Sequence, residues 1–245
     1  MIVGLIPSRL NSKRLFQKPL IKIDGLPIIV HTMRRAMLSK FLDDIYVCTD
    51  SLKIAKIVKQ YGGKYILTST KHKNGTERIG EALKKIKRKI KLIVDIQGDE
   101  PTINPNDIDR IIKYHLNNLK YDLVIPHIYV DYVENKNQVK IISNNKGKIL
   151  YLTRAIAPFN FSLKKMKLKK HLSVISFKKS SLEKYNNFKE SYLEKIEGVE
   201  LLRALENGQN LGTFKLNGNA FAVDVKKDIK RVRNFFKRDK IRKFY

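Results

Sequence analysis

Cysteine is almost missing from this chain: Cys48 stands alone among 245 residues. An intramolecular disulfide is excluded, and a reducing compartment is expected. Cys48 sits in the apolar run Ile45-Tyr-Val-Cys-Thr-Asp50, where a buried strand thiol is the ordinary reading and a nucleophile the unusual one. No apolar run approaches the ~20 residues that a membrane helix needs. The first residues lack the charged and apolar regions of a signal peptide. A soluble, cytoplasmic protein without membrane insertion is therefore expected. Acidic residues are scarce as well, 23 Asp and Glu against 51 Lys and Arg, for a formal net charge of +28. Such a charge invites a nucleic-acid partner, yet no helix-turn-helix, zinc or RNP-type signature accompanies it. The cations are mostly Lys spread along the chain beside abundant Asn and Ile, which fits an AT-rich coding bias, so no specific nucleic-acid partner is expected. No Ser/His/Asp or Cys/His pair stands out, and no covalent enzyme intermediate is needed. No internal repeat or long linker interrupts the chain.

What is present is an alternation of short apolar runs and helical patterns over the first half. Strands are expected at Ile2–Ile6, Ile45–Thr49, Tyr65–Thr68, Leu92–Ile96 and Leu123–Pro126. Helices are expected at Pro27–Leu38, Leu52–Tyr61 (stopped by Gly62-Gly63), Thr76–Lys87 with Thr76 as cap, and Asp107–Leu119. That order predicts an α/β fold, a mixed, mostly parallel sheet with helices on both faces. In the middle, Val139–Ser143 and Ile149–Thr153 flank Asn144-Asn-Lys-Gly147 and read as a β-hairpin. The basic run Leu163–Lys170 reads as an exposed loop or frayed helix. Together they predict an insertion over about residues 128–170, one that can pair two subunits. Further on, strands are expected at Leu172–Phe177, Leu211–Leu216 and Ala220–Val223. Helices are expected at Ser180–Tyr185, Tyr192–Asn207 and Lys227–Phe236. The tail from Lys226 to Tyr245 carries ten basic and two acidic residues and reads as a solvated helix face.

The first strand leads into a loop carrying Ser8, Arg9, Asn11, Ser12, Lys13, Arg14 and Lys18 and no acid. Open α/β sheets place ligands at the carboxyl ends of their strands. An Arg fork matches phosphate oxygens in pairs, and a Lys supplies a mobile point charge. A polyphosphate site and a solvated basic loop are both open from this stretch alone. After the Leu92–Ile96 strand comes Asp95-Ile-Gln97-Gly-Asp99-Glu-Pro101, where a strand-end carboxylate can hold a hard cation over a phosphate, and Asp95, Gln97 and Asp99 share a period-two side. Asn74-Gly75-Thr76-Glu77-Arg78 opens a helix whose amides favour an acceptor-rich group. Taken alone, Asp224 is an acid between a strand and a helix, and His171 a lone histidine before an apolar strand.

These stretches resemble the sugar-nucleotide cytidylyltransferases, and most closely the CMP-Kdo synthetase (3-deoxy-manno-octulosonate cytidylyltransferase) family. The resemblance rests on Ile6-Pro-Ser8-Arg9, Arg14 and Lys18-Pro-Leu, on Gln97-Gly-Asp99-Glu-Pro, and on Asn74 to Arg78. It continues through Phe221-Ala-Val-Asp224 and Gly198-Val-Glu200-Leu-Leu-Arg-Ala-Leu-Glu-Asn-Gly208, and spans nearly the whole chain. It departs at Gln17, where the family has Gly, at Asn74 for Ser, at Ala222 for Gly, at Val225-Lys226 for Thr-Pro, and at Leu201 for Gln. The resemblance implies a nucleotide-diphospho-sugar-transferase-like (Rossmann-like) fold in one cytidylyltransferase domain over residues 1–245. It implies that CTP and a 3-deoxy-2-keto sugar acid, most closely Kdo, give the CMP-sugar and pyrophosphate for lipopolysaccharide or surface-polysaccharide synthesis. Arg9, Arg14, Lys18 and Asp99 would be catalytic. Ser8, Arg9, Arg14, Lys18, Asn74, Gly75, Thr76, Arg78 and Gln97 would bind the nucleotide. Gln97, Arg154, His171 and Glu200 would face the sugar, and Asp99 and Asp224 would hold Mg²⁺. A homodimer is implied. A related sugar acid (amino-Kdo or a nonulosonate) and a non-catalytic nucleotide- or RNA-binding paralogue are the alternatives.

Overall fold

The computed structural model describes residues 1–12, 14–162, 165–218 and 221–245. The expected contributions of Lys13, Leu163, Lys164 and Ala220 lie outside those residues. The chain divides into two compact units, Met1–Ile112 with Gly218–Tyr245, and Lys113–Asn217.

In the first unit, β1 (Ile2–Ser8) is flanked by strands made from distant sequence. A small ribbon, β2 (Lys22–Ile23) and β3 (Leu26–Pro27), precedes α1 (Ile28–Ala36). Then come β4 (Asp44–Thr49), α2 (Leu52–Gln60), β5 (Lys64–Leu67), α3 (Gly75–Lys84), β6 (Leu92–Ile96) and α4 (Pro105–Asn117). β1 pairs in parallel with β4 on one side and β6 on the other, and β4 pairs in parallel with β5. Val3, Leu5 and Ile6 alternate in direction along β1 and are all fully buried, so both faces of the strand are covered. This is why β1 reads as an unbroken apolar run. It ends where Ser8 and Arg9 leave the sheet at its carboxyl edge.

One cap differs from expectation. Asn74, not Thr76, caps α3: its Oδ1 accepts from the Glu77 amide at 2.8 Å, which starts the helix at Gly75. α2 is capped by Ser51, whose Oγ accepts from the Ile54 amide.

The second unit is richer in antiparallel strands. β7 (Leu123–Val124), β8 (His127–Asp131), β9 (Lys140–Ser143) and β10 (Ile149–Thr153) are followed by β11 (Lys167–His171) and β12 (Val174–Lys178). Helices α5 (Lys179–Tyr185), α6 (Tyr192–Glu197) and α7 (Leu202–Glu206) lead to β13 (Leu211–Gly212). The β9–β10 hairpin forms as expected, its turn closed by the Asn144 side chain on the Lys146 and Lys148 amides and by Gly147 at φ +79°. It belongs to a larger antiparallel sheet in the order β10-β9-β11-β8. Lys167–Lys170, expected to be loop or frayed helix, is strand: cations alternate about Leu168, which is buried while its neighbours are not. The single helix expected over Tyr192–Asn207 is two, because Gly198 takes φ +60° and closes α6. β7 pairs antiparallel with β12 and parallel with β13, so the α/β layers carry mixed, mostly parallel pairing.

The chain returns to the first unit with α8 (Lys226–Phe236). Residues 221–223 are not strand, but the Val223 amide donates to the Asp99 carbonyl at 2.9 Å. Leu15, Ile23, Ile28, Val223, Val232 and Phe236 form one buried cluster, so the tail helix has an apolar face rather than being solvated all round. No helix among the described residues is long and apolar enough to cross a membrane.

Candidate active site

Four strand-end and loop segments of the first unit, at residues 7–19, 72–78, 97–99 and 224, meet at the carboxyl edge of β1. The basic loop after β1 is pinned by Leu15, which is buried in the cluster that also holds Val223. Gln17 takes a left-handed backbone, φ 47° and ψ 38°, and leads into a single 3-10 turn, Lys18–Leu20, with Pro19 inside it. A glycine adopts that conformation without strain, whereas Gln17 adopts it because the turn on both sides is fixed. The result aims the Lys18 side chain inward. Its Nζ lies 2.5 Å from Asp99 Oδ2 and 3.3 Å from Asp224 Oδ1. Arg14 Nη2 lies 2.8 Å from the same Asp224 oxygen.

These groups border a cavity of about 430 Å³, within the range of roughly 300–1,000 Å³ usual for small-molecule sites. Of the residues expected from sequence, Ser8, Arg9, Arg14, Lys18, Asn74, Gly75, Arg78, Gln97 and Asp99 all line it. Thr76 is fully buried in the first turn of α3 and is not on the wall. Asp224 reaches the site through its pairs with Lys18 and Arg14. Ser8 Oγ is buried without a hydrogen-bond partner among the described residues, and so is available to a ligand.

One wall of the cavity is tightly packed. Gly75 sits so close to Pro7 and Gln97 that an added Cβ would lie 3.2 Å from the Pro7 ring. Gln97 Nε2 donates to both oxygens of the fully buried Asp95, at 3.1 and 3.0 Å, which fixes the orientation of its amide. Arg78 is tied down too, donating to Asp50 Oδ2 at 2.8 Å and to Thr68 Oγ1 at 2.7 Å.

Ser12, from the loop read in the sequence, also lines the cavity, as do His72 and Lys73, which were not singled out there. No local pattern marks His72, which precedes α3 and is held by Glu81 on that helix. His72 Nε2 pairs with Glu81 Oε2 at 2.6 Å, and the same oxygen accepts from the Ser69 amide at 2.8 Å. Burial alone would raise the Glu81 carboxyl, but hydrogen bonds from Lys85, the Ser69 amide and His72 outweigh it and bring the pKa to about 2. Cys48 is fully buried, and burial pushes its thiol well up, which suits a packing role and not a nucleophile.

The expected sugar-facing residues other than Gln97 lie in the second unit. Arg154 is held at every guanidinium nitrogen, by the carbonyls of Glu197 at 2.9 Å, Lys136 at 3.0 Å and Gly198 at 3.1 Å. It thereby fixes the turn that precedes Glu200. His171 ends β11, and desolvation together with the Lys170 and Arg154 charges lowers its pKa to about 4, so the imidazole is neutral at pH 7.

The donor chemistry fits a magnesium ion. Asp99 and Asp224 supply hard oxygen ligands that already converge on one shared cation, the Lys18 ammonium. Among the described residues there is no cluster of three or more His, Cys, Asp or Glu able to hold a metal. A two-carboxylate site that leaves its other positions to phosphate oxygens and water is the usual magnesium arrangement, and softer metals prefer richer donor sets.

A cytidylyltransferase family model matches residues 3–215. The chain is 39% identical over 239 residues to the 3-deoxy-manno-octulosonate cytidylyltransferase of Rickettsia canadensis, covering 96% of each chain. It is 39% identical over 235 residues to the Rickettsia typhi protein of the same name, covering 94% of this chain and 95% of that one. A solved structure of CMP:2-keto-3-deoxy-manno-octonic acid synthetase complexed with CTP superposes with a TM-score of 0.92 at 28% identity, covering 96% of this chain and 98% of the other. From its carboxylate pair to its full-length likeness, this chain belongs to the cytidylyltransferases, in the 3-deoxy-manno-octulosonate (CMP-Kdo synthetase) family.

Proposed function

We propose that this protein transfers the CMP group of CTP to 3-deoxy-manno-octulosonate, giving CMP-Kdo and pyrophosphate. The observation that carries the reading is the convergence of Asp99, Asp224 and Lys18 at the mouth of a cation-lined cavity. The anomeric hydroxyl oxygen bonds to the α-phosphorus, the bond from that phosphorus to the bridging oxygen breaks, and the hydroxyl proton passes to solvent. Arg9, Arg14 and Lys18 bind the β- and γ-phosphates and stabilise the charge that builds on departing pyrophosphate. Ser8 Oγ donates to a phosphate oxygen. Asn74, Gly75, Arg78 and Gln97 shape the pyrimidine slot, with Gly75 letting the backbone pack closely on Pro7 and Gln97, and Gln97 presenting its fixed amide. Thr76, buried in the first turn of α3, is assigned to the nucleotide with them. Asp99 and Asp224 would hold Mg²⁺, which supplies charge neutralisation at the α-phosphate. Gln97, Arg154, His171 and Glu200 are assigned to the sugar acid.

The reading includes one functional domain over residues 1–245, action in the cytoplasm on the route to lipopolysaccharide or another surface polysaccharide, and assembly as a homodimer. Exposed Val133, Phe159 and Phe161 in the second unit support pairing between copies. Retention of both carboxylates and the three phosphate cations favours an active enzyme over a non-catalytic paralogue.

Pyrophosphate release decides the matter. With Mg²⁺ and Kdo, CTP should turn over, UTP poorly and ATP not at all, because a site hydrogen-bonded to one base edge strongly rejects another. Equal turnover of ATP and CTP, or none with any sugar acid, would overturn the assignment. Turnover with amino-Kdo or a nonulosonate in place of Kdo would keep the reaction and change the acceptor.

A further inference from the structure

The two carboxylates lie 125 residues apart (224 − 99), yet a metal site needs their separation held within a fraction of an ångström. One buried side chain bridges the segments on either side of them. Arg35, on α1, is 1% exposed at its side chain, and its buried partner Asp239 is 5% exposed. Its Nε donates to the carbonyl of Ile103 at 2.5 Å, its Nη1 pairs with Asp239, and the same nitrogen lies 3.4 Å from the Tyr245 hydroxyl.

The Ile103 carbonyl is one end of the loop that presents Asp99. The other end is reached from the same helix by Thr32 Oγ1, whose hydroxyl is shared between the Gly98 carbonyl at 3.2 Å and the Ile28 carbonyl at 3.3 Å. Thus α1 clamps the Asp99 loop on both sides of the carboxylate. Asp239 belongs to the opposite arm. It follows α8, and the first turn of α8 holds Asp228, whose Oδ2 accepts the amides of Asp224 and Val225 at 2.8 and 2.9 Å. The arms also meet directly, through the Val223 amide on the Asp99 carbonyl at 2.9 Å and the Phe221 amide on Thr102 Oγ1 at 3.2 Å.

We infer that Arg35, locked by Asp239, is a positioning residue for the reaction: it ties the Asp99 loop to the far end of the helix that follows Asp224 and so sets the spacing of the two carboxylates. Residues behind a metal's own ligands do this in other sites, and their loss costs about 10- to 100-fold in metal affinity or activity. A planar guanidinium suits the task because it meets acceptors at fixed angles, which the point charge of a lysine cannot do. The inference rests on the reading that Asp99 and Asp224 hold the metal.

The alternative role is stability alone, since an unpaired buried charge is destabilising wherever it lies. Mn²⁺ titration followed by electron paramagnetic resonance, with and without CTP, separates the two. It is run on the wild type and on Asp239→Asn, Arg35→Lys and Thr32→Val, the last nearly isosteric. Ile54→Val, in the buried face of α2 away from the site, serves as a control that lowers Tm only.

Asp239→Asn should weaken Mn²⁺ binding by about tenfold or more and lower kcat, with KM for CTP little changed. Thr32→Val should move both in the same direction by a few-fold, and Arg35→Lys should not restore them. Variants that lose Tm but bind Mn²⁺ as tightly as Ile54→Val would overturn the positioning role while leaving the proposed function intact. A wild type that binds no Mn²⁺ even with CTP would instead remove the metal site itself, and this inference with it.

Discussion

Replacing Lys18 with Met should move two affinities in opposite directions. The Lys18 side chain is 13% exposed, and its ammonium touches both Asp99, at 2.5 Å, and Asp224, at 3.3 Å. With so little water around it, each charge-assisted contact is worth about 1.5–3 kcal/mol. When CTP binds, one such contact goes to the triphosphate. Its loss should therefore weaken CTP by roughly one to two decades, at about 1.4 kcal/mol per decade. The metal behaves in the contrary sense. In the nucleotide-free protein, a divalent cation must displace this ammonium to reach both carboxylates, so removing it relieves a direct competitor. Mn²⁺ binding without CTP should tighten by about tenfold, the return of one such contact. Arg14 does not compensate, because its side chain is 63% exposed and an exposed pair contributes little. Isothermal titration of CTP and of Mn²⁺ separately into the variant and wild type reads both numbers. Mn²⁺ binding that is unchanged or weaker in Lys18→Met would refute the reasoning, since the ammonium would then not be holding the metal's place.

Asp99→Asn and Asp224→Asn should each abolish turnover with the fold kept, as judged by circular dichroism; near-normal kcat in either at saturating Mg²⁺ would remove the two-carboxylate site. Glu81→Gln should cost stability in a pH-dependent way. The folded pKa of about 2 is below the ordinary 4.5, so the Glu81 contribution is fully present above pH 4.5 and disappears as pH falls through about 2. Denaturant unfolding at pH 7 and at pH 2 should show a gap between variant and wild type only at the higher pH. Nucleic-acid binding driven by the +28 charge should be weak, unselective and lost near ~0.15 M salt, because counterion release makes such binding fall steeply. A gel shift that persists with sequence preference above that salt would contradict it.

Much of the site was legible in the sequence because its parts are local. The apolar run of β1, the cations after it, the Gln97-Gly-Asp99 turn and the helix start at Asn74 each declare themselves within a few residues, and Arg9, Arg14, Lys18, Asn74, Gln97 and Asp99 from them line the cavity. Period and capping chemistry act over one or two turns, so they can be read without a partner. They fail where a longer interaction chooses the conformation. Gly198 splits a segment whose composition suits one helix, and Lys167–Lys170 become strand because β8 pairs beside them. His72 joined the wall only through its bond to Glu81, nine residues on. The deciding contacts are the most distant ones. Lys18 reaches across 81 residues to Asp99 and 206 to Asp224, and Arg35 across 204 to Asp239. The sequence determined which chemical groups the protein has and which short element carries each. Only the tertiary structure decided that three charged groups from three segments share one point, because that convergence comes from packing Leu15 and Val223 into one core, and no local pattern encodes it.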